Sequence, residues 1–277
     1  MKTKLILILS FLFLSCSSED TEVQLEAVVD GNYKTNVLIE DYTGAWCGYC
    51  PRMSKGIADL WSSTNKRISP VAIHNESPGR SDPFAFGKDD EMRTKIYGNN
   101  FPGWPNAVLN RNVQTQRASI NSSVITDLIA VDSNVGLALD SSLKDRTLSL
   151  TVKVGFGADL SDLKLVVYLT ENGLKANQKT FGDLGYGEGT NGYLVDFVHD
   201  NTLRASISEL FGDAIDTSKS KNGEVYEKSY SYEIPEAYSL QSNIVAFVVN
   251  KDDIALNSRF FVTTGEAASN GKFQTVE

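Results

Sequence analysis

Cysteine and histidine are both scarce: three of the first and two of the second in 277 residues. Three cysteines cannot build the framework of bridges that holds small secreted domains together. His74 and His199 lie far apart, and neither has a partner at metal-ligand spacing. A closed four-ligand zinc site is therefore not expected, and no cofactor is implied. Basic residues are outnumbered, with 26 Lys and Arg against 35 Asp and Glu, a formal net charge of −9. That balance lacks the basic footprint on which nucleic-acid binding depends. Beyond the N-terminus no apolar run reaches the length of a membrane span. The glycine-rich stretch Gly182 to Gly192 has no Gly-Lys-Ser/Thr ending and no helix directly after it, so it reads as a surface loop and not a phosphate cradle.

What is present begins with a targeting segment. Lys2 and Lys4 precede an apolar core, Leu5 to Leu14, closed by Ser15-Cys16 and the polar run Ser17-Ser18-Glu19-Asp20. The pattern resembles a bacterial lipoprotein signal, which implies cleavage after residue 15 and lipidation of Cys16. The acidic run resembles a surface-export tag of Bacteroidota lipoproteins. Residues 16–31 then read as a lipid-anchored tether merging into a first strand, near Val23 to Val29. Several acyl chains on one residue would anchor the protein stably to a membrane.

Cys47 and Cys50 are then the cysteines that remain. They sit in Trp46-Cys47-Gly48-Tyr49-Cys50-Pro51, after the apolar run Val37-Leu38-Ile39 and before a helical pattern of Met53, Ile57, Leu60 and Trp61. Pro51 suits the first turn of that helix. At a helix N-terminus the unpaired N–H groups favour a thiolate, which makes Cys47 the candidate nucleophile. Cys50, one turn further in, is placed to resolve a mixed disulfide. Asp41, six residues before Cys47, is a candidate proton acceptor if burial raises its pKa. Trp46 and Tyr49 flank the sulfurs as candidate substrate contacts. His74 reads as a satisfied strand-end residue, His199 as structural, and Asp82, Asp89, Asp90 and Glu91 as a solvated helix start.

The order strand, Cys-x-x-Cys, helix, strand, helix, Gly-x-Pro, strand, helix resembles the thioredoxin fold. Asp41, Cys47, Cys50 and Gly103-Trp104-Pro105 carry the resemblance, which spans about Asn32 to Val131. It implies that Asp41 is the buried acid, that Pro105 (with Pro102 as competitor) is a cis-proline beside the disulfide, and that Trp104 faces substrate. The Gly-Tyr dipeptide departs from the thioredoxin pair and matches that of a periplasmic disulfide isomerase.

After Ser133 the apolar period changes from 3.6 to 2, as in Leu148-x-Leu150-x-Val152-x-Val154. Further strands are expected at Tyr193 to Val198, Val225 to Ile234, Ile244 to Asn250 and Ser258 to Thr263. Such repeated strands predict an all-β, immunoglobulin-like sandwich over 133–277, following an α/β thioredoxin-like domain over 32–132. The segments Leu38-Ile39-Glu40-Asp41-Tyr42-Thr43-Gly44 and His199-Asp200-Asn201-Thr202-Leu203-Arg204 resemble the Omp-twenty-eight-related outer-membrane lipoproteins of Bacteroidota, as does Ile244-Val245-Ala246-Phe247-Val248. The combined expectation is a membrane-tethered thiol–disulfide oxidoreductase, a reductase or isomerase, of the bacterial envelope. It would act on protein thiols or disulfides with an electron-donor or acceptor protein. The rival expectation is a surface-exposed binding or adhesion lipoprotein with no redox role.

Overall fold

The computed structural model describes residues 33–115, 120–262, 268–270 and 272–273. The targeting segment, Cys16 and the expected first strand lie outside the described residues.

The chain runs β1 (Val37–Thr43), α1 (Cys50–Ser63), β2 (Ile68–His74), α2 (Asp89–Tyr97), β3 (Asn106–Leu109), β4 (Val113–Gln114) and α3 (Ser122–Ala130). Strands dominate from there: β5 (Val135–Lys144), β6 (Thr147–Phe156), β7 (Lys164–Glu171), β8 (Leu174–Lys179), β9 (Tyr193–His199), β10 (Thr202–Ser206) and β11 (Asp213–Ala214). The last four are β12 (Val225–Glu233), β13 (Ser242–Val249), β14 (Ala255–Val262) and β15 (Ala268–Asn270).

Every residue of β1 is buried. A strand covered on both faces belongs at the centre of a sheet. It pairs in parallel with β2 and antiparallel with β3. One face of this region carries Val37, Ile39, Ile68, Ala107 and Leu109 against Met53, Ile57 and Leu60 of α1 and Ile125 of α3. The helix residues recur at positions 53, 57 and 60, the spacing that keeps apolar side chains on one stripe.

The fold class differs from the expectation. No separate α/β domain precedes a free-standing sandwich. The structure is mostly strand, and one large mixed sheet takes strands from both halves of the chain, in the order β14-β13-β7-β10-β2-β1-β3-β4, with β11 also on β7. The junction is β10, which pairs in parallel with β2 and antiparallel with β7. The reason is physical. Periodicity reports which faces of a strand are buried, not which strand lies beside it. β7 and β13 are buried along nearly their whole length, and here they extend the sheet that β1 begins.

Two further cores follow from that arrangement. Leu38, Tyr42, Val71, Ile73 and Val108 pack with Val166, Tyr168, Leu203, Val245 and Phe247 from the second half. A four-stranded sheet, β12-β6-β5-β15, covers the other face of β7 and β13. Its alternating Leu148, Leu150, Val152 and Val154 meet Leu165, Val167, Leu169, Ile244, Ala246 and Val248. Strands β8 and β9 form a two-stranded hairpin outside both sheets.

Candidate functional site: a covered disulfide and a buried acid

The segment leaving β1 turns sharply. Cys47 N donates to Gly44 O at 2.9 Å, and Cys50 N donates to Cys47 O at 3.2 Å. Cys47 and Cys50 are joined in a disulfide with their Cα atoms 5.4 Å apart. Helix α1 begins at Cys50, with Pro51 in its first turn. Cys47 therefore lies in the turn ahead of the helix, and Cys50 takes the terminal position that the sequence reading gave to Cys47. Both are buried, with 4% and 1% of their surface exposed.

Aromatic side chains frame this turn. Trp46 donates its indole N–H to Asn75 O at 2.9 Å. Its ring packs edge-on against Trp104, centroids 5.2 Å apart, and the Arg80 guanidinium lies 5.0 Å from it. Trp104 in turn packs on Phe101 at 4.9 Å. Among the described residues the one cis peptide bond is Trp104–Pro105, so the Trp46 contact holds the turn ending in that bond against the disulfide turn. The bond before Pro102 is not cis. Tyr49 is half exposed and stacks edge-on with Phe181, centroids 5.0 Å apart.

Asp41 is 2% exposed and its Oδ1 has no hydrogen-bond partner. Burial raises its pKa to about 8, because a carboxylate loses its hydration there. It lines a cavity of about 310 Å³ that also reaches Ser54, Ile57 and Trp61 of α1, and His74 and His199. The two histidines, 125 positions apart by number, come together with ring centroids at 5.1 Å. Burial, and then the neighbouring His74, lower the His199 pKa to about 4. Its Nε2 is buried without a partner.

Asp82 corrects one reading outright. It is not in a solvated helix start, since α2 begins at Asp89. It is buried, and its Oδ2 meets His74 Nδ1 at 2.9 Å and accepts from Ala45 N at 2.6 Å. Its Oδ1 accepts from Phe84 N at 2.8 Å. Burial works to raise its pKa, but His74 and the two backbone donors outweigh that and hold it below the ordinary carboxylate range. Asp82 thus clamps Ala45, two residues ahead of Cys47. Ser81-Asp82-Pro83 was the available signal, since Asp before Pro favours a turn in which the carboxylate accepts from the backbone two residues on.

The sequence reading also missed Gln178 and Phe181. Gln178 is buried and its Nε2 donates to Cys47 O at 2.8 Å and Gly44 O at 3.2 Å. No motif marks either residue. Among the described residues no group of three or more His, Cys, Asp or Glu converges as metal ligands would, and no helix is long and apolar enough to cross a membrane.

The family model described as outer membrane protein Omp28 matches residues 94–261, more than half of the chain. This chain belongs to the Omp28 family. Membership points to the outer membrane, and the matched region begins after the disulfide, so it speaks to the remainder of the Omp28 fold more than to the cysteines. Similar solved structures include the following two. HBP35 of Porphyromonas gingivalis shares 18% identity at a TM-score of 0.65, over 83% of this chain and 76% of that one. Protein AGR_C_4864 from Agrobacterium tumefaciens shares 11% at 0.51, over 82% and 94%. At these identities the likeness is one of fold. No curated protein matches the sequence.

Proposed function

We propose that this Omp28-family chain is a thiol–disulfide oxidoreductase of the bacterial envelope, a reductase or isomerase, tethered to the outer membrane through lipidated Cys16. The observation that carries the reading is the Cys47–Cys50 bridge itself. A disulfide stabilises a fold by closing a loop, and the gain falls as the loop shortens. A bridge between residues three apart closes a very short loop and restrains little of the chain, which favours a chemical role over a structural one.

In this reading Cys47 is the nucleophile and Cys50 resolves. The Cys47 thiolate attacks a substrate disulfide, one substrate sulfur leaves as thiolate, and Cys50 then displaces the other to re-form the Cys47–Cys50 bond. Two electrons pass from the protein dithiol to the substrate. An electron-donor protein restores the dithiol, and the same steps run in reverse with a dithiol substrate. Asp41, in the fraction of chains where it is ionised, accepts the proton that the resolving thiol gives up. A carboxyl with a pKa of about 8 is well matched to a free thiol near 8.5, so the transfer is close to balanced. Trp46, Tyr49, Trp104 and Pro105 shape the surface that meets the substrate chain.

The test is a trap. Cys50→Ser leaves Cys47 without its resolving partner, and incubation with a disulfide-bearing unfolded protein is expected to yield a stable mixed disulfide at Cys47, read by mass spectrometry. No adduct at Cys47 would sink the reading. One observation favours a second reading, a binding or adhesion lipoprotein: neither cysteine is open to solvent. There, Cys47→Ser would leave partner binding intact.

A further inference from the structure

We propose that residues 178–181 are a latch occupying a polypeptide-binding edge of the disulfide turn, and that the substrate is an extended polypeptide that takes the latch's place. The inference rests on the exchange reading above and names its substrate class.

The latch is the end of β8 and the two residues after it, from the other half of the chain. It lies along the turn formed by residues 44–48. Lys179 N donates to Ala45 O at 2.7 Å, and Phe181 N donates to Gly48 O at 2.9 Å. The Gln178 amide meets the carbonyls of Gly44 and Cys47. Main-chain donors at 179 and 181, together with the Gln178 side-chain amide, thus meet a row of carbonyls on the disulfide turn. Such a row takes any extended chain, because main-chain pairing supplies affinity and side-chain notches supply preference.

The notch here is Gly48. A Cβ at that position would lie 2.5 Å from the Phe181 ring, so the ring rests directly on the glycine backbone. A substrate side chain that fills the same place must be flat and apolar, which points to an aromatic residue. The latch is buried at Gln178 and Thr180 and open at the Phe181 ring. Gln178 is 2% exposed, whereas Phe181 is 53% exposed and touches the half-open Tyr49 ring and the Lys179 ammonium. Beyond it Gly182, Gly185, Gly187, Gly189 and Gly192 all have positive φ, a loop conformation that glycine adopts without the steric cost other residues meet. With the latch down, Cys47 and Cys50 are covered. With it displaced by substrate, a substrate thiolate can attack Cys47 Sγ, breaking the Cys47–Cys50 bond and releasing Cys50 as thiolate. A second substrate thiolate then attacks its own mixed-disulfide sulfur and releases Cys47. The substrate leaves oxidised by two electrons and the protein leaves as the dithiol.

The experiment follows reduction of the disulfide in the full chain by quenched alkylation and mass spectrometry. Loss of the edge-on aromatic contact in Phe181→Ala is expected to raise the rate with dithiothreitol about tenfold. Wild type is then reduced by a dicysteine peptide carrying Phe, or by the same peptide N-methylated at alternate residues. The methylated peptide lacks the donors and is expected to be about tenfold slower, for two main-chain hydrogen bonds of modest net worth. Equal peptide rates, or an unchanged dithiothreitol rate in Phe181→Ala, would overturn the latch while leaving exchange intact. A disulfide that no thiol reduces in either protein would overturn both.

Discussion

At the scale of single residues, Asp41 carries the clearest consequence. Its unfolded pKa lies near 3.9, and burial raises the folded value to about 8. Between those values the folded chain holds a proton that the unfolded chain has released. Asp41 therefore subtracts stability as pH rises through that window, by about 1.4 kcal/mol per unit. Asp41→Asn removes the titration and keeps the shape. Urea unfolding at a series of pH values is expected to show the variant gaining on wild type steadily from pH 4 to 8, then levelling. A gap that does not change with pH would mean that the carboxyl ionises freely. Asp41 was expected to be the buried acid from the thioredoxin resemblance, near the end of a strand that opens with the apolar run Val37-Leu38-Ile39. Asp82 was not, since a carboxylate among Ser, Pro and Gly residues reads as solvated until its partners His74 and Ala45 are brought to it from earlier in the chain.

At the scale of elements, local signals served well and pairings did not. Pro51 and the 53, 57, 60 stripe marked α1, and alternation marked β6 and β12. Nothing local announced that the end of β8 would lie against the turn between β1 and α1. The contact is made by main-chain atoms, which carry no sequence signature, and by Gly48, whose missing Cβ makes room for Phe181. Gly48→Ala should cost about 1–3 kcal/mol by overpacking. Phe181→Ala in the same chain should recover most of that loss, a coupling that a double-mutant cycle measures. Additive losses would show that ring and glycine do not meet.

At the scale of the whole molecule, the two halves share a sheet and a buried charge. Glu40 on β1 pairs with Arg111, whose Nη2 donates to Tyr168 of β7 at 2.8 Å. The Glu40 and Arg111 side chains are 0% and 1% exposed. The Arg111 guanidinium also lies 4.7 Å from the Phe247 ring of β13. Glu40→Ala would leave that cation buried and uncompensated, at a cost of about 3–5 kcal/mol. Calorimetry should show one lowered transition for the whole chain; a drop confined to a separable part would argue against the continuous sheet. This arrangement explains why two domains were expected. The change of period near Ser133 is real, but it marks the entry of strands into an existing sheet as well as the start of the second one.

Electron exchange at the Cys47–Cys50 pair is the property proposed for this protein. Its most direct test is equilibration of the full chain with a graded thiol redox buffer, following the intrinsic fluorescence of Trp46 beside the disulfide, with Cys47→Ser as control. A reversible two-electron transition with the fold retained in both states, absent from the control, is expected. A disulfide that stays closed at every potential, or opens only as the protein unfolds, would contradict it.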